Sequence, residues 1–410
     1  MSDWETCTLE DACEIFDGPH ATPEKQDSGP HFLSISSLQN GHLDLSESAF
    51  ISEEDYSEWT RRVVPRHEDI VFSYETRLGQ AAMIPNGLRC CLGRRMGLLR
   101  SKDRSFADPN FLLHYYLGDP FQKVIKNNTV FGTTVDRIPL QKMGGFEIAL
   151  PPLPEQKRIA SVLTSVDEAI ETTQKQINKL QGLKKATTNA LLTTGTDHKE
   201  FKESELGRIP NGWESVALEE FCEEIVVGHV GSTSEHYTEK DGVRFIRTGD
   251  LKDGKIRLTE TKQITREFHL RLKKSSLRSG DVLVSRVGDT GQAALVPEGL
   301  GEANCANIII IRCGEKLLPQ FLKLFINSEL FFDQVTKVSI GSAQAVLNIA
   351  IIKQLLISLP SQAEQVRICQ AVNNLEDLIG NQEQKLNRTQ SLKKSLMQDL
   401  LTGRVRMQIN

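Results

Sequence analysis

Two long stretches of the chain carry apolar residues at an alternating four-three spacing. In the first the series is Ile159, Leu163, Val166, Ile170, Thr173, Ile177, Leu180, Lys184, Thr187 and Leu191. In the second it is Ile368, Val372, Leu375, Ile379, Gln382, Leu386, Thr389, Lys393, Leu396 and Leu400. That period predicts a coiled-coil seam along each of two helices. Pro154 suits a first helical turn, Ser361 and Glu364 have the spacing of a capping box, and Gly195 and Gly403 suit the two C-termini. Each helix runs to roughly 40 residues, about 60 Å at ~1.5 Å per residue, too long for one small domain to bury. Either the two stripes pack on each other, or each helix lies on its own domain. In the first arrangement the polar seam positions (Thr173 with Gln382, Lys184 with Lys393) fix the register at some cost in stability.

Outside these stretches the pattern shortens. "EDIVFS" and "GDVLVS" read as strands after a turn, and "QAAMIP" and "QAALVP" as the returning strands, so each set forms a hairpin with a polar loop. "FLLHYYLGDPFQKVI" and "FLKLFINSELFFDQV" have helical apolar spacing, with Tyr115 and Tyr116 expected in the core. The two halves are copies of one unit. Trp4-Glu5 returns as Trp213-Glu214, 209 positions on, and so do Glu155-Gln156 as Glu364-Gln365 and Leu183-Lys184-Lys185 as Leu392-Lys393-Lys394. In the hairpin region the offset drifts to 212, placing Asp69 opposite Asp281 and Gly79-Gln80 opposite Gly291-Gln292. Such drift marks loop insertions within a shared framework. The expected order is a mixed α/β domain over 1–150, a long helix over 151–196, a second such domain with its lead-in over 197–359 and a second helix over 360–410. The fold class is α+β, two repeated mixed α/β domains separated by two long helices.

Composition narrows the function little. A 39% hydrophobic, 25% charged chain with a formal net charge of −5 is an ordinary globular protein. No apolar run is long enough to span a bilayer, and the acidic N-terminus lacks the apolar core of a signal peptide. The eight cysteines show no CxxC spacing and read as reduced thiols of a cytoplasmic protein. There is no phosphate-binding glycine loop, no DPPY- or NPPY-type methyltransferase motif and no metal-ligating or nucleophilic cluster. Positive charge does recur at equivalent places. Arg61, Arg62 and Arg66 precede the first hairpin, and Arg266, Arg271, Lys273, Lys274 and Arg278 precede the second. Arg94, Arg95, Arg100, Lys102 and Arg104 extend the first set. The loops carry Tyr74, Thr76, Arg77 and Gln80 in one copy and Arg286, Thr290 and Gln292 in the other. Arg and Gln can read base edges bidentately and basic side chains can meet phosphate, so these are candidate DNA contacts. Two readings stay open on residues alone: a DNA-binding protein, and a tandem-repeat coiled-coil adaptor that joins protein partners.

Several motifs together resemble a known family, the specificity subunits of Type I restriction–modification systems. They are "GRIPNGWE" at Gly207, "LPPLPEQKRIA" and "LPSQAEQVRI" at the helix starts, "LLTTG" and "LLTG" at the helix ends, and the pairs Gly132-Thr133 and Gly341-Ser342. The resemblance covers essentially the whole chain, although the first copy lacks the "IPNGW" lead-in. It implies a non-catalytic subunit of a phage-defence complex, whose two target recognition domains each read half of a split double-stranded DNA sequence. It also implies that the two long helices pack as an antiparallel coiled coil, which sets the spacing between the domains and docks two methyltransferase subunits and, through them, restriction subunits. Methyl donor, ATP and metal then sit on those partners, and this chain needs no cofactor. Thr133, Thr134, Ser342 and Gln344 join the candidate DNA contacts on the strength of those Gly pairs.

Overall fold

The computed structural model describes residues 4–132, 135–286, 291–339 and 347–408. The chain forms two compact units, one made of residues 1–175 and 384–410, the other of residues 176–383. Each long helix, Leu153–Thr194 and Gln362–Leu400, contributes to both units. Among the described residues, no helix is long and apolar enough to cross a membrane.

Each unit is built on a four-stranded antiparallel sheet with the same strand order. In the first unit it runs Cys13–Asp17, Met96–Ser101, Ile70–Ser73, Ala81–Met83, and in the second Cys222–Val227, Ile308–Cys313, Val282–Ser285, Ala293–Leu295. The expected hairpins are present, with Phe72 opposite Ala81 and Val284 opposite Ala293. Both sheet faces are covered, which is why these strands are apolar throughout rather than alternating. Val282, Val284, Ile309 and Ile311 enter one core, while Leu283, Ile308 and Ile310 enter another on the opposite face. Burying each such side chain is worth roughly 1.5–3 kcal/mol.

Two departures from the sequence reading have local causes. "FLLHYYLGDPFQKVI" is two helices, Pro109–Leu117 and Asp119–Asn128, broken at Gly118 ahead of Pro120. The ring nitrogen of Pro120 has no hydrogen to donate, so a continuous helix would lose a bond there. The second copy breaks likewise, into Pro319–Ile326 and Glu329–Ser339. A smaller element was not anticipated. Leu38–Gln39 pairs with His42–Leu43, and Leu251–Lys252 with Lys255–Ile256, each across a two-residue turn. The turn residues, Asn40-Gly41 and Asp253-Gly254, all have positive φ, the conformation that type I′ turns demand. Tyr115 and Tyr116 are core residues, as expected.

The ends of each mixed α/β domain close on themselves just before a long helix begins. Glu5–Thr8 pairs with Glu147–Leu150, and Glu214–Ala217 with Leu356–Leu359. Beyond the helices, Gly195 and Gly403 hold φ of +65° and +67°, the left-handed conformation of a helix C-terminus. A side chain at Gly195 would also strike Glu364 Oε1 at 2.5 Å.

Candidate nucleic-acid interface

The repeated Glu-Gln pair is a joint between long helix and mixed α/β domain. In the first unit Gln156 Oε1 accepts from the Asp108 N–H at 2.9 Å, and its Nε2 donates to the Phe106 and Pro151 carbonyls at 2.9 Å each. In the second unit Gln365 Oε1 accepts from the Leu318 N–H at 2.8 Å, and its Nε2 donates to Lys316 and Pro360 at 2.9 and 3.0 Å. Asp108 and Leu318 each cap the first helix of the broken pair. One amide therefore fixes three backbone groups at the same place in both units.

The neighbouring glutamates fasten the helix that arrives from the opposite direction. Glu155 accepts from Arg406 Nε and Nη2 at 2.9 and 2.8 Å and from the Met407 N–H at 3.2 Å. Glu364 accepts from the Thr196 N–H, the His198 ring and the Trp213 indole at 2.8, 2.8 and 3.0 Å. The capping box expected at Ser361 is therefore only half made. Ser361 Oγ accepts from the Glu364 N–H, but the carboxylate is directed to these three donors instead. Burial alone would raise the Glu364 carboxyl pKa, yet these hydrogen bonds outweigh it and the net shift is downward.

Within each unit the helical pair runs antiparallel. In the first, residues rise from Glu155 to Asp167 on one helix as their partners fall from Arg406, just past the end of the other helix, to Lys393 within it. In the second, Lys184 to Thr196 meets Glu376 to Glu364. Every seam residue is buried or half-buried. The expected pairing of Lys184 with Lys393 is replaced by ion pairs, Lys184 to Glu376 at 2.7 Å and Lys393 to Asp167 at 2.5 Å, because antiparallel packing brings each lysine to the repeat-mate of the other's carboxylate. Thr173 bonds back to the Ala169 carbonyl of its own helix, and among the described residues Gln382 Oε1 is buried with no hydrogen-bond partner. Beside Asp167, burial and the Lys393 charge push the His114 pKa down to about 3, keeping its ring neutral.

The candidate DNA contacts fall into four groups. Some are engaged inside the fold. Tyr74 is buried and donates to Asp17 Oδ1 at 2.9 Å, and Arg77 Nη1 donates to the Ile35 and Ser36 carbonyls. Arg62 is exposed but reaches Asp17 at 3.7 Å. Gln80 Oε1 accepts from the Asn40 N–H, joining the loop of the expected hairpin to the unanticipated one. The basic stretch of the first copy is largely neutralised, with Arg95 on Glu75, Arg100 on Asp69 and Arg104 on Glu68. Asp69 and Asp281, matched in the sequence, hold equivalent arginines, Arg100 and Arg312. A second group stands open to solvent: Arg61, Thr76 (at φ +69°), Lys273 and Lys274, with Arg271 exposed and only lightly tied to Glu267 at 3.4 Å. Among the described residues Arg286 Nε is buried with no partner, and Gln292 is half-buried. Thr133, Thr134, Thr290, Ser342 and Gln344 lie outside the described residues.

Gln80 and Gln292 line equivalent clefts. The first, about 740 Å³, lies between the Gln39–His42 hairpin, Gln122 and the helical pair at Asp167, Glu171 and Lys393. The second, about 830 Å³, lies between the Lys252–Arg257 hairpin, Lys323 and the helical pair at Lys184, Glu376 and Glu383. Asn-Gly and Asp-Gly between apolar residues was the sequence signal for these hairpins.

Each of the two units joins an α+β domain to an antiparallel pair of helical segments, and the units share this framework while their loops differ, the organisation of a duplicated recognition subunit. A family model for the Type I restriction modification DNA specificity domain matches residues 1–182 and again 210–390. The chain belongs to that family, and it is a specificity subunit with two target recognition domains. It is 26% identical over 422 residues to the Type I restriction enzyme MjaVIII specificity subunit of Methanocaldococcus jannaschii, spanning 99% of this chain and 93% of that one. The fold is shared with the Type I S subunit from M. genitalium, at a TM-score of 0.59 and 14% identity over 100% of this chain and 97% of that one. It is shared also with a chain from a structural study of Type I system assembly and conformational transition, at a TM-score of 0.60 and 19% identity over 98% of each. An adaptor role without DNA recognition finds no support in these matches.

Proposed function

We propose that each unit reads one half of a split, asymmetric duplex target, while the helical pair sets the unread spacing and docks two methyltransferase subunits. Restriction subunits join through those partners, which carry the methyl donor, ATP, metal and all catalysis. The observation that supports this best is the contrast between framework and loop. Joints, strand order and ion pairs repeat from unit to unit, whereas "SYETRLGQ" in one hairpin loop stands against "SRVGDTGQ" in the other. A shared scaffold with different reading loops suits a target whose halves differ. Leu183 and Leu392, equivalent and half exposed on the long helices, suit two copies of one protein partner.

The test is co-expression with a methyltransferase subunit in a host lacking such systems, followed by genome-wide mapping of methylated adenine. One split motif, present only with both chains, is expected. A stable complex with no new methylation would overturn the reading if the same methyltransferase subunit methylates with another specificity subunit. Arg77→Ala and Arg286→Ala are each expected to relax one half-site only. Inserting four residues into one long helix adds about 6 Å, lengthening the spacer by one or two base pairs at ~3.4 Å each.

A further inference from the structure

The two clefts match position by position but differ in charge. Around the hairpins, Gln39, His42 and Asp44 of the first unit are replaced by Lys252, Lys255 and Arg257 in the second. Lys323, on helix Pro319–Ile326, adds a fourth cation where the first unit has the apolar Leu113. Counting all charged lining residues, the second cleft has six cations (Lys184, Lys185, Lys252, Lys255, Arg257, Lys323) against four carboxylates (Asp253, Glu329, Glu376, Glu383). The first has two, Lys393 and Lys394, against three, Asp119, Asp167 and Glu171. The helical lysines of the second cleft are already committed, Lys184 to Glu376 and Lys185 to Glu329. Its surplus positive charge thus comes from the recognition domain, on side chains that form no ion pair among the described residues.

We infer that this cationic cleft of the second unit is a seat for the DNA sugar–phosphate backbone, with Lys252, Lys255, Arg257 and Lys323 as its phosphate contacts, and that the first unit has no counterpart. The inference rests on the reading of the chain as a DNA-specificity subunit. Gln292 connects the two, because it belongs to the reading hairpin and also lines the cleft, so a duplex presented to that hairpin brings its backbone alongside the four cations. Lys252 and Lys255 are direct cross-strand partners, two ammonium groups set opposite each other. Like charges so placed are unfavourable until an anion lies between them. The first unit instead presents Gln39 and His42 there, and must hold its half-site through base edges and the exposed Arg61.

The test is the salt dependence of binding of the full chain to a fluorescent duplex of mixed sequence. Each phosphate contact contributes about 0.9 to the log–log slope of affinity against salt. The variant Lys252→Gln/Lys255→Gln/Arg257→Gln is expected to reduce that slope by about 2 to 3, and Lys323→Gln, on a separate element, by about 1. Gln39→Ala/His42→Ala is expected to leave it unchanged. Equal slopes for wild type and both cation variants, with binding retained, would overturn the seat and leave DNA recognition standing. Duplex binding by the wild-type chain that did not respond to salt would overturn the DNA reading itself. Should the triple variant fail to fold, Lys323→Gln alone decides.

Discussion

In the first unit, Glu155 is buried to 2% exposure, but the guanidinium it holds, that of Arg406, is 43% exposed. In the second, Glu364 holds a buried indole, a backbone N–H and a histidine ring. The two glutamates occupy one position of the repeat and do one job, yet the cost of losing them differs. A donor that can turn to water loses little when its acceptor disappears, whereas a buried donor left without one loses its full desolvation energy. The difference lies in the partners rather than in the glutamate.

The largest effect is therefore expected for Glu364→Ala, which strands both the Trp213 indole and the Thr196 N–H at a loss of about 4 kcal/mol, measured by urea unfolding. Glu364 also sets an acid limb. Its folded pKa lies below the ordinary value of 4.5, so its stabilisation is fully present above 4.5 and drains away as pH falls through the lower folded value. Glu364→Gln should flatten that limb, and an unchanged acid unfolding curve would remove the carboxylate from the joint's energetics. Next comes the pair of ion pairs. Lys393 and Asp167 are 16% and 9% exposed, Lys184 and Glu376 35% and 31%. Lys393→Ala is expected to cost about 3 kcal/mol, as for a buried charge left unpaired, and Lys184→Ala about 1 kcal/mol. Equal losses would mean that burial does not distinguish them. Glu155→Ala follows at about 1 to 2 kcal/mol, since Arg406 can be hydrated. The smallest change in stability, within about 0.5 kcal/mol, is expected for Leu183→Ser and Leu392→Ser. Each should nevertheless halve the methyltransferase retained on co-purification, and full retention in both would place docking elsewhere.

Much of the scaffold was legible because it is periodic. The four-three spacing marked both long helices, and the 209 offset exposed the duplication and, with it, the Glu-Gln joints. Contacts that cross between distant segments were not legible. An offset matches Lys184 with Lys393, but only antiparallel packing reveals that Glu376 and Asp167 are their partners. Likewise Arg95, Arg100 and Arg104 looked like a basic face in the sequence, and their carboxylates, Glu75, Asp69 and Glu68, come from the preceding hairpin strand and its flanks. Tyr74 looked like a loop residue, and its exposure was decided by Asp17, 57 positions away. Two signals were present and passed over: Asn40-Gly41 and Asp253-Gly254 as turns, and the Gly118-Asp119-Pro120 run as a helix break.

The facing lysines of the Lys252–Lys255 hairpin have a consequence for how the free chain responds to its medium. Two ammonium groups across a two-residue turn repel each other, and dissolved ions screen that repulsion. Raising ionic strength should therefore tighten this hairpin in the unbound protein while it loosens the hold on a polyanion. Amide exchange at Lys252 and Lys255 should slow in the same salt range where duplex affinity falls, so that a single variable acts on one short element with opposite signs.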